Sequence, residues 1–413
     1  MRDFPWRTAF SIAITAAVLA ASHHPSASPP VVTPVPAAIT EPAANAVAPA
    51  PTKLFDPTGL GHFYAALDRT ARGEGVTRIV HYGDSPTTAD LVTGDVRALL
   101  QARYGNAGHG FILVDKPWAW YQHDMVKLSG SGWTASPASR FMAHDGYFGL
   151  GGVSFVGGLK ASTRIEFEAG AYTNFEFWFE RQPGGGTVAL TADDVPIGTV
   201  DTAGETAEPG FAAFEAIAPA SKLELRVTSG TVRAFGISAT RPGAGIVYDT
   251  LGLNGASIGV MTRMFNLQHW TAELRHRNPA LVVINYGANE ADFADYVEKQ
   301  YEGELRAAIA RVRGALPEAS ILVMSPMDRG HRVGHEIETM PTIPRIVEIQ
   351  RRVARETGCG FFDTFAAMGG AGTMARWYAQ QPRLVSADLI HPYPVGGKII
   401  AEIFVRELVG AHR

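Results

Sequence analysis

"RIVHYGDSPTTADLV", residues 78–92, decides how the rest of the chain is read. Its apolar run through Ile79 and Val80 stops at Gly83-Asp84-Ser85 and meets Pro86. Proline is favoured at the first helical position and serine just before it, as N-cap. The stretch therefore predicts a strand at 77–82 that turns into a helix at Ser85. Leu91, Val92, Val96, Leu99, Leu100 and Tyr104 then recur at helical spacing, and Gly105 can end the helix. A serine so placed has two readings. It is a cap, or its hydroxyl is aimed at a ligand. Open α/β sheets bind ligands at the carboxyl ends of their strands, and helix N-termini favour developing negative charge.

A helix is expected near 59–72, ahead of that strand. Late in the chain come further apolar strands: "GIVYD" (245–249), "LVVINY" (281–286), "ILVMS" (321–325) and "FFD" (361–363). Helical segments at 257–277, 299–315 and 343–357 lie between them. Strands alternating with helices predict a flavodoxin-like, doubly wound parallel sheet. Residues 116–244 break this rhythm. Phe175, Phe177 and Phe179 alternate with Glu176, Trp178 and Glu180, and Leu223, Leu225 and Val227 alternate with Glu224 and Arg226. Period-two alternation between Gly-rich turns predicts half-buried antiparallel strands. The expected organisation is an α/β domain at 53–115 and 245–413, interrupted by an inserted β-sandwich at 116–244.

The 413 residues carry a net charge of −4, so neither a basic patch nor nucleic acid as main partner is indicated. Cys359 is the single cysteine, which rules out an intrachain disulfide and a cysteine-based zinc site. At the N-terminus Arg2 and Arg7 precede the uncharged "AFSIAITAAVLAA" (9–21). That run is short for a spanning helix and fits residues 1–22 as a signal peptide, or as an uncleaved anchor tethering the chain to a membrane. Residues 25–52 hold 8 of the 26 prolines and one charge, Glu41, so 23–52 read as an extended disordered linker. The expected location is the periplasm or outside the cell.

Three further stretches bear on Ser85. "ADLIHPYPVGG" places Asp388 three residues before His391. In a single turn that spacing can set a carboxylate against imidazole Nδ1, leaving the other nitrogen to take a proton from a serine. "INYGANEADF" places Asn289 after a buried strand and a glycine turn, where its amide either shapes the turn or donates to an oxyanion. In "YDTLGLNGAS", Gly255 can expose a backbone N–H.

Together these pieces resemble the SGNH, or GDSL-type, hydrolase family. "YGDS" matches its first block, "GLNGA" its second, "GANE" its third and "DLIHP" its fifth. The resemblance covers roughly 75–115 and 245–410. It implies Ser85 as nucleophile, His391 as general base and Asp388 as its partner, with an oxyanion hole from Ser85 N–H, Gly255 N–H and the Asn289 amide. It implies neither metal nor organic cofactor. Two positions depart from the family: Pro86 stands where Leu or His usually follows the serine, and Glu290 where Asp usually follows the asparagine. A large β insert between the first two blocks further resembles peptidoglycan O-acetylesterases and related polysaccharide acetylesterases. By that resemblance the partner is an acetylated glycan. Three functions stay open at this stage: an esterase removing O-acetyl groups, an O-acetyltransferase using the same site, and a glycan-binding envelope protein with a relic hydrolase domain.

Other motifs compete with this reading. "GASIG" (255–259) satisfies Gly-x-Ser-x-Gly, and Ser257, Asp363 and His391 follow the order of α/β-hydrolases, but no strand runs directly into it. His331 and His335 lie four apart, as a metal pair on a helix would, with Gly334 weakening the helix and no third ligand evident. His81 reads as a packed residue of the first strand. Trp118, Trp120, Tyr121 and Trp133 are expected either to pack between domains or to stack on sugars.

Overall fold

The computed structural model describes residues 53–140, 143–168 and 170–412; the expected leader and linker lie outside the described residues. The chain opens with a short strand, β1 (Phe55–Asp56), and a helix, α1 (Gly61–Ala71). It then runs through β2 (Val76–Gly83), the one-turn α2 (Ser85–Thr88), α3 (Thr93–Tyr104) and β3 (Gly108–Ile112). Eight long or medium strands follow: β4 (Val126–Pro137), β5 (Val153–Phe167), β6 (Tyr172–Arg181), β7 (Thr187–Ala192), β8 (Val195–Asp201), β9 (Glu208–Ala220), β10 (Lys222–Ser229) and β11 (Val232–Thr240). The α/β pattern resumes with β12 (Gly245–Gly252), α4 (Leu267–Arg277), β13 (Leu281–Asn285), α5 (Ala294–Tyr296), α6 (Glu302–Ala315) and β14 (Ser320–Met324). A hairpin, β15 (Gly330–Val333) and β16 (Glu336–Thr339), precedes α7 (Thr342–Thr357), β17 (Gly360–Phe362), α8 (Thr364–Met368), α9 (Thr373–Ala379) and α10 (Pro394–Gly410).

The α/β sheet has the order β1-β17-β14-β13-β2-β12, parallel except for the edge strand β1. Its interior strands read as apolar runs because helices cover both faces. The strand order reverses at β2, whose neighbours are β13 on one side and β12 on the other. A crevice opens at such a switch point. Ser85 follows β2, Gly255 follows β12 and Asn289 follows β13, so all three hang over that crevice.

The turn after β2 differs from the sequence reading. Asp84 occupies the cap position and Ser85 is the first helical residue, not the cap. The long helix expected after it is split, because Asp90 adopts φ 54° between α2 and α3. The buried Asp90 carboxylate accounts for the break. It accepts from Thr93 Oγ1 at 2.7 Å, from Arg97 Nη2 at 2.5 Å and from the Asp124 N–H at 2.9 Å. Those donors hold its carboxyl well below the usual range against the burial that would raise it. Two glycines in register across β2 and β12 let α2 sit on the strand ends. A Cβ on Gly83 would lie 2.2 Å from Thr87 Oγ1, and one on Gly252 only 2.0 Å from Thr88 N.

The inserted module is antiparallel, with the path β8-β7-β10-β5-β11-β6-β9; β4 pairs with β5 and β3 with β11. Its two limbs share β5, which pairs with β10 along one half and with β11 along the other. The ends of the path meet, since a Cβ on Gly198 of β8 would lie 2.8 Å from the Phe214 ring of β9. The sheet takes in β3, which precedes residue 116. Strand β6 explains the period-two pattern. Phe175, Phe177 and Phe179 fill the module's core, while Trp178 and Glu180 are equally buried. That second face lies on α4, with Glu180 Oε2 2.7 Å from His269 Nε2 and Trp178 edge-on to His276 at 5.0 Å. Both faces of β6 are covered, so the alternation marks two different cores.

Candidate active site

Residues from three distant parts of the chain converge above the crevice. Ser85 Oγ–H donates to His391 Nε2 at 2.7 Å, and His391 Nδ1–H donates to Asp388 Oδ2 at 2.7 Å. A tight turn before α10 makes the second contact possible. Asp388 Oδ1 accepts the N–H groups of Ile390 and His391 at 2.9 and 3.1 Å, and the Ser386 hydroxyl. Partial burial would raise the Asp388 carboxyl, yet these donors hold it well below the ordinary range. It is therefore an anion throughout the neutral range and fixes the imidazole tautomer. Ser386 was not singled out in the sequence; a hydroxyl two residues before an Asx-type turn is its only signal.

The two loops on which the sequence places the oxyanion donors are clamped together. Asn254 and Gly255 are the central residues of a turn closed by Ala256 N–H to Leu253 O at 3.1 Å. Gly255 has φ +69°, a value that favours glycine at this turn position. Asn289 Nδ2 donates to Ala256 O at 2.9 Å, which leaves its second amide hydrogen for another acceptor. Next to it, Glu290 Oε1 accepts the Ile258 N–H at 2.7 Å. Glu290 thus reaches across to the loop that carries Gly255, and the extra methylene relative to aspartate spans that gap. Arg329 steadies the Asn289 loop from beneath, donating to Ala288 O at 2.6 Å and to both oxygens of Asp292 at 2.8 Å.

Two buried acids lie behind the site. Burial pushes Asp84 up to about 7, opposed by His391 and Arg329. Burial likewise pushes Glu290 up to about 7, with the Asp84 charge adding to the shift. Glu290 Oε2 has no hydrogen-bond partner, which fits a carboxyl that holds its proton near neutrality.

The competing motifs are placed elsewhere. Asp363 caps α8 through the Ala366 N–H and pairs with Arg351, away from His391, whose Nδ1 is taken by Asp388. Ser257 is consequently no part of a relay. His331 and His335 sit on the β15–β16 hairpin rather than a helix, because Gly334 at φ 60° turns the chain there. Among the described residues no group of three His, Cys, Asp or Glu is placed to hold a metal ion. His81 is buried with Nδ1 2.7 Å from the Tyr248 hydroxyl. Trp118 and Tyr121 are core residues, whereas Trp120 is exposed.

Residues 231–399 match the model of the GDSL-like lipase/acylhydrolase family. The chain carries a GDSL-like hydrolase domain. Its class is that of a carboxylic ester hydrolase. The match contains Gly255, Asn289, Asp388 and His391 but not Ser85, because the β module separates the first block from the others. No curated protein matches the sequence. A solved peptidoglycan O-acetylesterase is similar over 85% of this chain and 96% of its own, with 22% identity and a TM-score of 0.73. A catalytic mutant of an acetylxylan esterase from Geobacillus stearothermophilus matches 40% of this chain and 73% of its own, with 22% identity and a TM-score of 0.31. The first likeness shows the fold of this GDSL-like hydrolase, β module included.

Proposed function

We propose that the protein is a serine esterase that removes O-acetyl groups from a polysaccharide, with cell-envelope peptidoglycan as the leading substrate. The observation that carries this reading is the unbroken relay from Asp388 through His391 to Ser85 Oγ. The fold shared with a peptidoglycan O-acetylesterase along both parts of the chain supports the choice of substrate. In this mechanism Ser85 Oγ attacks the acetyl carbonyl carbon as its proton passes to His391 Nε2. The oxyanion is held by the N–H groups of Ser85 and Gly255 and by the Asn289 amide. Collapse expels the sugar oxygen, which takes the proton from His391. Water, deprotonated by His391, then attacks the acetyl-Ser85 ester, and acetate leaves. The leader at 1–22 would deliver the enzyme to the periplasm or beyond, cleaved or kept as a membrane tether.

The test is acetate release from O-acetylated peptidoglycan, acetylated xylan and a small aryl acetate. Release from peptidoglycan, lost in Ser85→Ala, is expected. Acetyl transfer to an added glycan without free acetate would make the enzyme a transferase, and binding without either reaction would make it a lectin-like protein.

A further inference from the structure

Among the described residues three Trp, Tyr or Phe side chains are exposed, and each is close in sequence to a proposed catalytic residue or bonded to the neighbour of one. Tyr393, 43% exposed, is two residues after His391; Phe293, 48% exposed, is four after Asn289; Trp120, 51% exposed, is bonded to the residue before Gly255. The other large aromatic rings among the described residues are buried or half-buried. An exposed ring leaves apolar area in water, which folding stability does not account for.

Trp120 is the best fixed of the three. Its indole Nε1–H donates to Asn254 Oδ1 at 3.1 Å. Its flanks are anchored too: Trp118 and Tyr121 are buried, and the Tyr121 N–H closes a turn on Trp118 O at 3.1 Å. Gln122 ties the same segment to the catalytic turn, with its Nε2 donating to Ala89 O at 2.9 Å. The ring is thus held on the loop that carries Gly255, with half its surface open, while its segment is tied through Gln122 to the turn that carries Ser85.

We propose that Trp120 is the platform for a pyranose ring of the glycan chain that carries the scissile ester, a subsite beside the oxyanion hole; this rests on the esterase reading above. The negative face of an indole attracts the weakly positive C–H groups along one face of a pyranose. Hydroxyls around the sugar's rim need hydrogen-bonding neighbours, and the amides of Asn254 and Gln122 lie on the elements that hold Trp120. The alternative apolar ligand, a lipid surface, calls for a contiguous exposed patch. Here Trp120 stands among amide side chains, Asn254 and Gln122, and the chain's net charge is −4, which suits a sugar better than an anionic bilayer. Trp120 lies on the β3–β4 connection, between two strands of the module's own sheet, so the module shapes the mouth through this segment.

The experiment compares Trp120→Ala and Trp120→Phe in the full chain. The readout is the ratio of kcat/KM on O-acetylated peptidoglycan fragments to kcat/KM on a small aryl acetate. Loss of the stacking platform predicts a roughly five- to hundredfold fall in that ratio for Trp120→Ala, carried by KM, by analogy with the loss of one aromatic stack under a ring ligand. Trp120→Phe keeps a ring without the N–H and should recover most of it. An unchanged ratio in Trp120→Ala, or equal losses on both substrates in both variants, would overturn the subsite and leave only a strut for the Asn254 loop. A second measurement stands apart from turnover: calorimetric binding of chitotetraose to Ser85→Ala, with and without Trp120→Ala. Binding that depends on Trp120 while the wild type releases no acetate from any glycan would sink the esterase reading and keep the subsite. Acetate release with binding that ignores Trp120 would do the reverse.

Discussion

At the scale of single residues the proposed mechanism divides the site into groups that would react and groups that hold them. Ser85→Ala should abolish ester hydrolysis with the fold retained, and a phosphonate should label Ser85 in the wild type; labelling at Ser257 would reassign the nucleophile. Asn289→Ala should lower kcat by roughly a hundredfold or more with little change in KM, the usual loss for one oxyanion donor. Glu290 holds rather than reacts. Glu290→Ala should lower kcat about tenfold by freeing the Ile258 N–H and loosening the Gly255 loop, since an orphaned buried donor costs about 1–3 kcal/mol. Glu290→Gln keeps the acceptor oxygen and should recover most of that loss. The same pair of variants reports on pH. Glu290 and Asp84 each titrate near 7 when folded, well above an exposed carboxyl. Between about pH 4 and 7 the folded protein therefore holds protons that the unfolded chain has released. That stabilisation is complete below the unfolded value and is lost as pH rises through the folded one. Buried His81, His109 and His123, whose affinity for protons is lowered by burial, act in the opposite sense, so the acid is read by difference: Glu290→Gln should lose less, or gain more, melting temperature from pH 5 to pH 8 than the wild type, and identical pH profiles in the two would refute the buried-acid account. Ser85, Asp388 and His391 were legible in the sequence because each sits in a short local motif, Ser85 after a strand and the other two in one turn before α10. The parts played by Glu290 and Trp120 were not, because each depends on a contact with the 254–258 loop from far along the chain.

Elements set where those residues point. Strands of the parallel sheet were legible as apolar runs, and the sheet's reversal at β2 follows from their alternation with helices. The break between α2 and α3 was hidden, since nothing in "TTADLV" announces that Asp90 takes a left-handed conformation to receive Arg97 and Thr93. The close approach of α2 to the strand ends was equally hidden, being a matter of paired glycines 169 positions apart in register. It is testable. Gly252→Ala puts a methyl into the backbone of Thr87 and Thr88, atoms that cannot rotate away. Overpacking of this kind costs about 1–3 kcal/mol, and the turn that carries Ser85 is the piece that must move, so kcat should fall together with the melting temperature. Gly303→Ala is the control of opposite sign. Gly303 lies in α6 with open space where its Cβ would be, and alanine there should stabilise by about 0.5–1 kcal/mol. Thermal melts of the two variants, with aryl acetate turnover beside them, decide whether α2 is seated by the glycines.

For the molecule as a whole the question is whether the β module is a separate body or a wall of the hydrolase. Half-buried strands, as the sequence pattern suggests, would allow a tethered module with its own core and a wet outer face. The structure covers that outer face. Trp178 has no exposed surface, meets the Phe111 ring edge-on at 5.5 Å and is flanked by His276 of α4. Beside it Glu180 bonds His269, and Asp249 at the hydrolase edge binds Arg277 of α4 at 2.6 and 2.7 Å while accepting the Phe111 N–H of β3 at 2.8 Å. Each body therefore supplies buried partners to the other, and neither can unfold without leaving charged and aromatic groups of its neighbour stranded in a dry interface. A single cooperative transition should appear in calorimetry. Trp178→Ala removes a ring from this seam, which costs about 3–5 kcal/mol in a packed core, and it should lower that one transition rather than split it. Phe177→Ala, one residue away but facing the module's own core, should lower the same transition. Removing residues 116–244 outright would strip α4 of its cover and leave β3 without β11, so that variant should fail to fold rather than survive as a smaller esterase. Two separated transitions in Trp178→Ala, with aryl acetate turnover persisting after the first, would show instead that the module is an independent domain.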